Sequence, residues 1–265
     1  MAITTLDGLI GAARQKVLYQ KTASVTSVAA NIQAVHQAAG NPGAATLSAG
    51  NTANGAVPTD ATTGFPLINA FSGGATGYIS GIQYTNSVAS NLILYDRLFH
   101  AGAYAFNAST TLASQPSYSS RVPGGTNFTG LELWVEAVTA FTGNLSIAIT
   151  YTDQSGNAAH TTGTVATGIA PILGRIIPIP LAAGDSGIQK IESVTATVSS
   201  AGTFNVVVVR RLATLRVNGA NIGGQLGWDT TGLPEVFADS ALCLAVQPDS
   251  TASGLPSVII DISNG

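Results

Sequence analysis

Residues 184–187 read Gly184-Asp185-Ser186-Gly187, a setting in which a serine hydroxyl can be held as a nucleophile. Residues 157–163, "NAAHTTG", place a histidine, His160, behind two alanines a short way upstream. A catalytic serine needs a base within hydrogen-bond reach, a carboxylate that orients the base, and donors for the oxyanion. The spacing does not supply this set. Only 26 positions separate His160 from Ser186, and the only aspartate between them is Asp185 itself.

Chymotrypsin-like chains carry the order His, Asp, Ser with the first and last far apart. Their second glycine after the motif is Ile188 here, and Cys243, the only cysteine, rules out their intramolecular disulfides. His36 and His100 offer longer spacings in unrelated contexts. The motif reads instead as a turn joining "IPIPL" to "IQKIESV", with Gly184 and Gly187 free to take positive φ and Asp185 bonded to its own turn.

Other chemistry-bearing residues read the same way. Glu132 and Glu136 fall on one strand face with Trp134 between them. Four strand residues separate them by roughly 13 Å, against the roughly 5–9.5 Å of a glycosidase pair; solvent or cross-strand cations are their expected partners. Asp96 and Arg97, adjacent on a strand, point to opposite faces and suit a structural salt bridge or a subunit contact. His36, His100 and His160 are scattered without H-x-x-x-H or H-E-x-x-H spacing. A calcium loop at Asp153 and Asn157 lacks the dense alternating acids of an EF-hand. The reading assigns no catalytic, cofactor-binding or metal-binding residue, and the chain is expected not to be an enzyme.

Composition sets the frame. In 265 residues only 9% are charged, against roughly 25% in average globular usage. The net charge is −3, and glycine contributes 30 residues. Such a surface is kept wet by hydroxyls, amides and backbone, with little charge to hold copies apart, which suits a chain that meets other subunits. The densest basic stretch, Arg210, Arg211 and Arg216, is expected to be neutralised or solvated at a strand end, and no basic stripe of a nucleic-acid binder exists. No apolar run approaches the ~20 residues of a membrane span, and no signal peptide is read at the start. The sequons at Asn107, Asn127 and Asn144 carry little weight without one.

These residues must be positioned by a chain of two textures. "TTLDGLIGAARQKVLYQK" puts Leu6, Leu9, Ile10, Ala13 and Val17 on one helical face, with Thr4 or Thr5 as N-cap. "SVTSVAANIQAVHQAAG" repeats the pattern up to a stop at Gly40, although its β-branched content leaves an extended arm as the alternative. A Gly-, Ala-, Thr-, Asn- and Pro-rich stretch follows to about Gly77 and reads as an arm ordered by what it lies on. Beyond it the period becomes two. "NVVVVRRL" and "RIIPIPL" look buried on both faces or close to it, and Pro178 and Pro180 make the latter an edge or a strongly bent strand. The expectation is an all-β antiparallel sandwich or jelly-roll-like domain over residues 78–265, preceded by a helical or extended arm over residues 1–77.

Residues 91–125, 131–157 ("LELWVEAVTAFTGNLSIAITYTDQSGN"), 177–195 ("IPIPLAAGDSGIQKIESVT") and 233–262 together resemble a family of bacteriophage virion structural proteins, and "TLDGLIGAARQKVLYQKT" extends the likeness over nearly the whole chain. The resemblance implies a capsid cement or decoration subunit that binds the major capsid protein and self-associates, as a homotrimer, in a virion assembled in the bacterial host cytoplasm. It implies no cofactor, nucleic acid or membrane. A tail, neck or host-recognition part of the particle is the alternative it leaves open. On this reading, Ser186→Ala changes neither folding nor function, and removing residues 1–77 leaves a folded β domain that no longer stays on particles.

Overall fold

The computed structural model describes residues 3, 5–45, 52–72, 76–105, 109–144, 146–166, 171–196 and 201–265. Among these residues the strands form three antiparallel sheets. The terminal sheet runs β14 (Gly223–Leu226), β4 (Gly77–Thr85), β17 (Ser257–Asn264), β1 (Ala13–Lys21), β3 (Gly40–Asn41), with β15 (Glu235–Val236) also on β4. The central sheet runs β11 (Ile176–Ile179), β7 (Leu131–Thr139), β13 (Thr203–Val217), β5 (Ser90–Ala105), β16 (Leu242–Pro248), β2 (Gln33–Ala34). The cap sheet runs β10 (Val165–Ala166), β8 (Ser146–Asp153), β12 (Ile188–Ala196), β6 (Ser109–Thr111), with β9 (His160–Thr161) on β8.

Alternation along β5 and β13 decides how the sheets stack. One face of the central sheet feeds two cores. Leu92, Leu94 and Leu212 pack with Val17, Tyr19, Ile82, Val258 and Ile260 of the terminal sheet. Leu98, Val206 and Val208 pack with Ile149, Tyr151, Ile191 and Val194 of the cap sheet. The other face carries Ile93, Tyr95, Trp134, Val207, Val209 and Cys243, covered by Ala34 and Phe65. The fold is thus an all-β antiparallel sandwich whose central sheet is buried on both faces. That explains the unbroken burial of Phe204–Arg210 within β13, where Val209 and its neighbours cannot alternate between core and water. β11 is the outermost strand of its sheet, as Pro178 within it requires, although the bridge between Gln33 and Arg175 curls the sheet's two ends toward each other.

The amino-terminal stretch departs from its expected form. The helix α1 spans Leu6–Gly11, and Thr5 caps it by accepting a hydrogen bond from the Gly8 amide at 3.0 Å. It ends there, and Ala13–Lys21 is a strand. Val17 is inward in either period, which hid the change; Tyr19 and Lys21 turn inward with it, while Lys16, Leu18 and Gln20 face out. Residues 25–39 hold no helix, which settles them as extended chain and turns, including β2. Gly40 is not a helix stop. It sits at φ +140 beside β1, where a side chain would strike the Gln20 carbonyl.

The irregular stretch before β4 is ordered by what it lies on, as expected for its described part, residues 52–72. Ala56 exchanges backbone hydrogen bonds with His100 at 2.8 and 2.9 Å, and Phe65 is buried against the central sheet. β1, however, is no arm: it lies between β17 and β3, with Tyr19 fully buried and its hydroxyl donating to the Leu242 carbonyl at 2.6 Å. The terminal sheet therefore does not respect a boundary at residue 77. Removing residues 1–77 uncovers β17 and the core behind it, so this truncation is expected to lose cooperative unfolding and near-ultraviolet circular dichroism; a cooperative, native-like transition in the truncated chain would contradict the placement of β1.

Candidate functional site

The connection at residues 181–187 is a turn: the Asp185 amide donates to the Ala182 carbonyl at 3.1 Å, and Gly184 takes φ +95. Gly187 answers a different need, since the Phe128 carbonyl and Thr129 press against its Cα. The Asp185 backbone bonds within its turn, but its side chain leaves it. Its carboxylate reaches the cap sheet, where Oδ2 accepts from the Tyr151 hydroxyl and lies 2.7 Å from His160 Nδ1. The fold thus joins two residues that sequence spacing had set aside as unrelated, Asp185 and His160.

A serine triad still does not form. The second ring nitrogen of His160, Nε2, faces Asp153 Oδ2 at 3.9 Å. The Ser186 amide is held by Gln154 Oε1 at 3.0 Å, which fixes the backbone of the turn. Asp153 closes its own hairpin turn, accepting from the amides of Ser155 and Asn157, each at 2.8 Å, and from Asn157 Nδ2 at 2.8 Å. Asp153 and Asn157 therefore bond to each other, which is turn chemistry and not the calcium loop their spacing allowed. The "TDQSGN" turn signal was enough to bring Asp153 and His160 face to face across a hairpin; the arrival of Asp185 from a distant strand had no local signal.

The carboxylates on β7 are spoken for. Glu132 takes two hydrogen bonds from Arg211, at 2.7 and 2.8 Å, and one from Trp134 Nε1 at 2.9 Å. Glu136 is buried and pairs with Arg97 at 2.8 Å. Burial alone would raise the Glu136 pKa, but Arg97 and then His36 outweigh it and hold the carboxyl below its usual range. Asp96 and Arg97 do point to opposite faces. Asp96, fully buried, accepts from the Ser240 hydroxyl at 2.8 Å and faces Arg121 and Arg210, each at 3.7 Å. Arg210, Arg211 and Arg216 are all neutralised, the last 3.4 Å from Asp249.

His36 and His100, scattered in sequence, meet in this interior. His36 Nε2 lies 3.9 Å from Glu136, and His100 Nδ1 accepts from Arg97 Nε at 3.1 Å. Burial, more than any neighbouring charge, pushes His36 down to about 4; burial and then Arg97 push His100 down to about 3. Sequence reasoning missed this cluster because it joins a turn residue, His36, to residues of two strands, Arg97 and His100 of β5 and Glu136 of β7, that are far from it in the chain.

On the surface, Ile10 is exposed, and the exposed Leu6 and Trp228 flank a depression of about 180 Å³ that Leu9 and Leu233 also line. A groove of about 450 Å³ runs between Glu132, Trp134, Pro178 and the Asp185–Ser186 turn. Asn127 and Asn144 fall in described chain, and Asn107 lies outside the described residues. Among the described residues no helix is long and apolar enough to cross a membrane.

No protein-family model and no curated protein matches the chain. Among solved structures it is similar to the VP2 subviral particle of infectious bursal disease virus, with 10% identity over 95% of this chain and 79% of that chain and a TM-score of 0.18. The structure of the Gt strain of that virus gives 10% identity, 95% and 80% coverage and a TM-score of 0.19. At such scores the likeness carries no argument about fold or function.

Two expectations follow from this geometry. Ser186→Ala leaves the chain's unfolding midpoint within about 0.5 kcal/mol of the parent, because the turn is held by backbone; a larger loss in a denaturant titration would give the hydroxyl a role. The native chain holds His36 and His100 neutral while the unfolded chain protonates them near pH 6.5. Stability is therefore level above pH 6.5 and declines below it, by about 2 kcal/mol at pH 5 for His36. Denaturant unfolding between pH 7 and pH 5 measures the slope, and His36→Gln should remove about half of it.

Proposed function

We propose that the chain is a non-enzymatic structural protein of a bacteriophage particle, a cement or decoration subunit that stabilises the major capsid lattice by non-covalent contacts. The observation that carries this reading is where the charge sits. The chain has ten basic and thirteen acidic residues, and Lys21, Asp96, Arg97, Arg121, Glu136, Asp153 and Arg210 are buried. Several of the outer charges are spent on each other, as in Lys16 with Asp261 and Arg211 with Glu132. What remains outside is largely amide, hydroxyl, glycine and scattered apolar side chain, such as Leu18, Gln20, Gln83 and Gln225 on the terminal sheet.

A surface with so little like charge lets copies approach closely, and a lattice multiplies weak contacts into durable attachment. The resemblance of residues 91–125, 131–157, 177–195 and 233–262 to virion structural proteins supports the same role and supplies its partners: the major capsid protein and further copies of this chain, as a homotrimer. The exposed apolar group at Leu6, Ile10 and Trp228 supports burial against a neighbour.

Quantitative mass spectrometry of purified particles tests the reading through copy number relative to the major capsid protein. A ratio near one per capsid subunit, or a simple lattice fraction of it, is expected. A few to a few tens of copies would move the chain to the neck or fibres, one copy per tube subunit would move it to the tail, and absence from particles would overturn the virion role altogether.

A further inference from the structure

We propose that Asp153, His160 and Asp185 form a binding site for one divalent transition-metal ion of the zinc class at the loop end of the cap sheet. This site is independent of the virion reading, and each part of it rests on geometry. One ligand atom from each residue lies within 4.8 Å of the others.

The histidine is oriented from behind. His160 Nδ1 lies 2.7 Å from Asp185 Oδ2. Asp185 is itself fixed, because the Tyr151 hydroxyl donates to the same oxygen while accepting from the Ala182 amide at 2.7 Å. A carboxylate on Nδ1 keeps the proton there and leaves the Nε2 lone pair free, the arrangement in which metal-binding histidines are held.

That lone pair faces a second carboxylate across a gap of telling width. Nε2 and Asp153 Oδ2 are 3.9 Å apart, too far for a hydrogen bond of ~2.7–3.2 Å. Zinc–nitrogen and zinc–oxygen bonds of about 2.0–2.2 Å at a tetrahedral angle set the two ligand atoms about 3.4 Å apart, so a closure of about half an ångström places one ion between them. Asp153 is anchored before any ion arrives: Oδ1 accepts the Ser155 and Asn157 amides, and Oδ2 accepts Asn157 Nδ2, with a further lone pair left on that oxygen.

The His160 side chain is 33% exposed, so an ion has access and water can complete its shell. An imidazole among carboxylates selects zinc and its neighbours over calcium, which takes oxygen ligands. Asp153 and His160 are the direct ligands, and Asp185 positions the ring. A bound ion would cross-link the hairpin of β8 and β9 to the turn at residues 181–187.

Zinc chloride titrated into the purified full-length chain at pH 7.5 tests the site by calorimetry. Binding of one equivalent is expected, with a raised thermal midpoint in zinc. His160→Ala, checked for native circular dichroism, should weaken binding at least tenfold and abolish the thermal shift. Asp185→Asn should weaken it about 10- to 100-fold. Cobalt(II) should give a visible absorption band that His160→Ala removes. Absence of saturable zinc binding by the parent chain, or binding undiminished in folded His160→Ala, would overturn the site.

Discussion

Two adjacent, oppositely charged residues on the middle strand constrain the whole sandwich. β5 is covered on both faces, so neither Asp96 nor Arg97 can reach water, and their side chains leave in opposite directions. Asp96 enters the face shared by the terminal and cap sheets, between Leu94 in one core and Leu98 in the other, where Arg121 and Arg210 meet it. Arg97 enters the opposite face and meets Glu136. A slip of one residue in the pairing of β5 would exchange the faces. Arg97 would then confront Arg121 and Arg210, and Asp96 would confront Glu136. Like charges in so dry a place are costly enough to make the alternative register untenable. Apolar strands as uniform as β13 contain little else to distinguish one register from the next.

The same charges hold down chain that has no regular structure. Arg121 is fully buried, and its guanidinium donates to the carbonyls of Pro58, Asp239 and Arg97 at 2.7, 2.8 and 2.6 Å. Three segments distant in sequence are thereby tied at one point. The irregular residues 52–72 need such ties, because a stretch rich in Gly, Ala and Thr buries little apolar surface of its own. On the terminal sheet Lys21 does comparable work, donating to the carbonyls of Ala38 and Pro42. Buried charges of this kind add little net stability, since desolvation offsets most of the attraction, but losing one partner strands the other at roughly 3–5 kcal/mol. Their contribution is to the choice among packings.

Much of this was legible from the residues. Period-two runs, turn clusters and Pro178 with Pro180 beside β11 gave the strand class and its edge, and the opposed directions of Asp96 and Arg97 followed from alternation alone. Other features were hidden for physical reasons. Val17 satisfies both a helical and a strand period, so residues 13–21 looked helical until Tyr19 was seen paired against β17 and Lys21 against β3. The meeting of Asp185 with His160 depends on β12 lying beside β8, a non-local pairing with no trace in either loop. His100 meets Arg97 within β5, but His36 reaches Glu136 from a turn a hundred positions upstream, a contact without a local signal. Composition reported the scarcity of charge; the distribution of that charge required the fold.

The distribution matters more than the scarcity. A chain with few charged residues could have kept them all outside, where each would raise solubility and repel copies of itself. This chain places several where they set register and pin irregular segments, and pairs others across neighbouring strands of the surface. The interior gains discrimination between packings, and the exterior loses the means of electrostatic exclusion. These two outcomes have one cause, the assignment of charge to the inside of a sandwich whose central sheet is covered on both faces. An exterior with little charge to oppose the close approach of copies is thus a consequence of how the fold is specified.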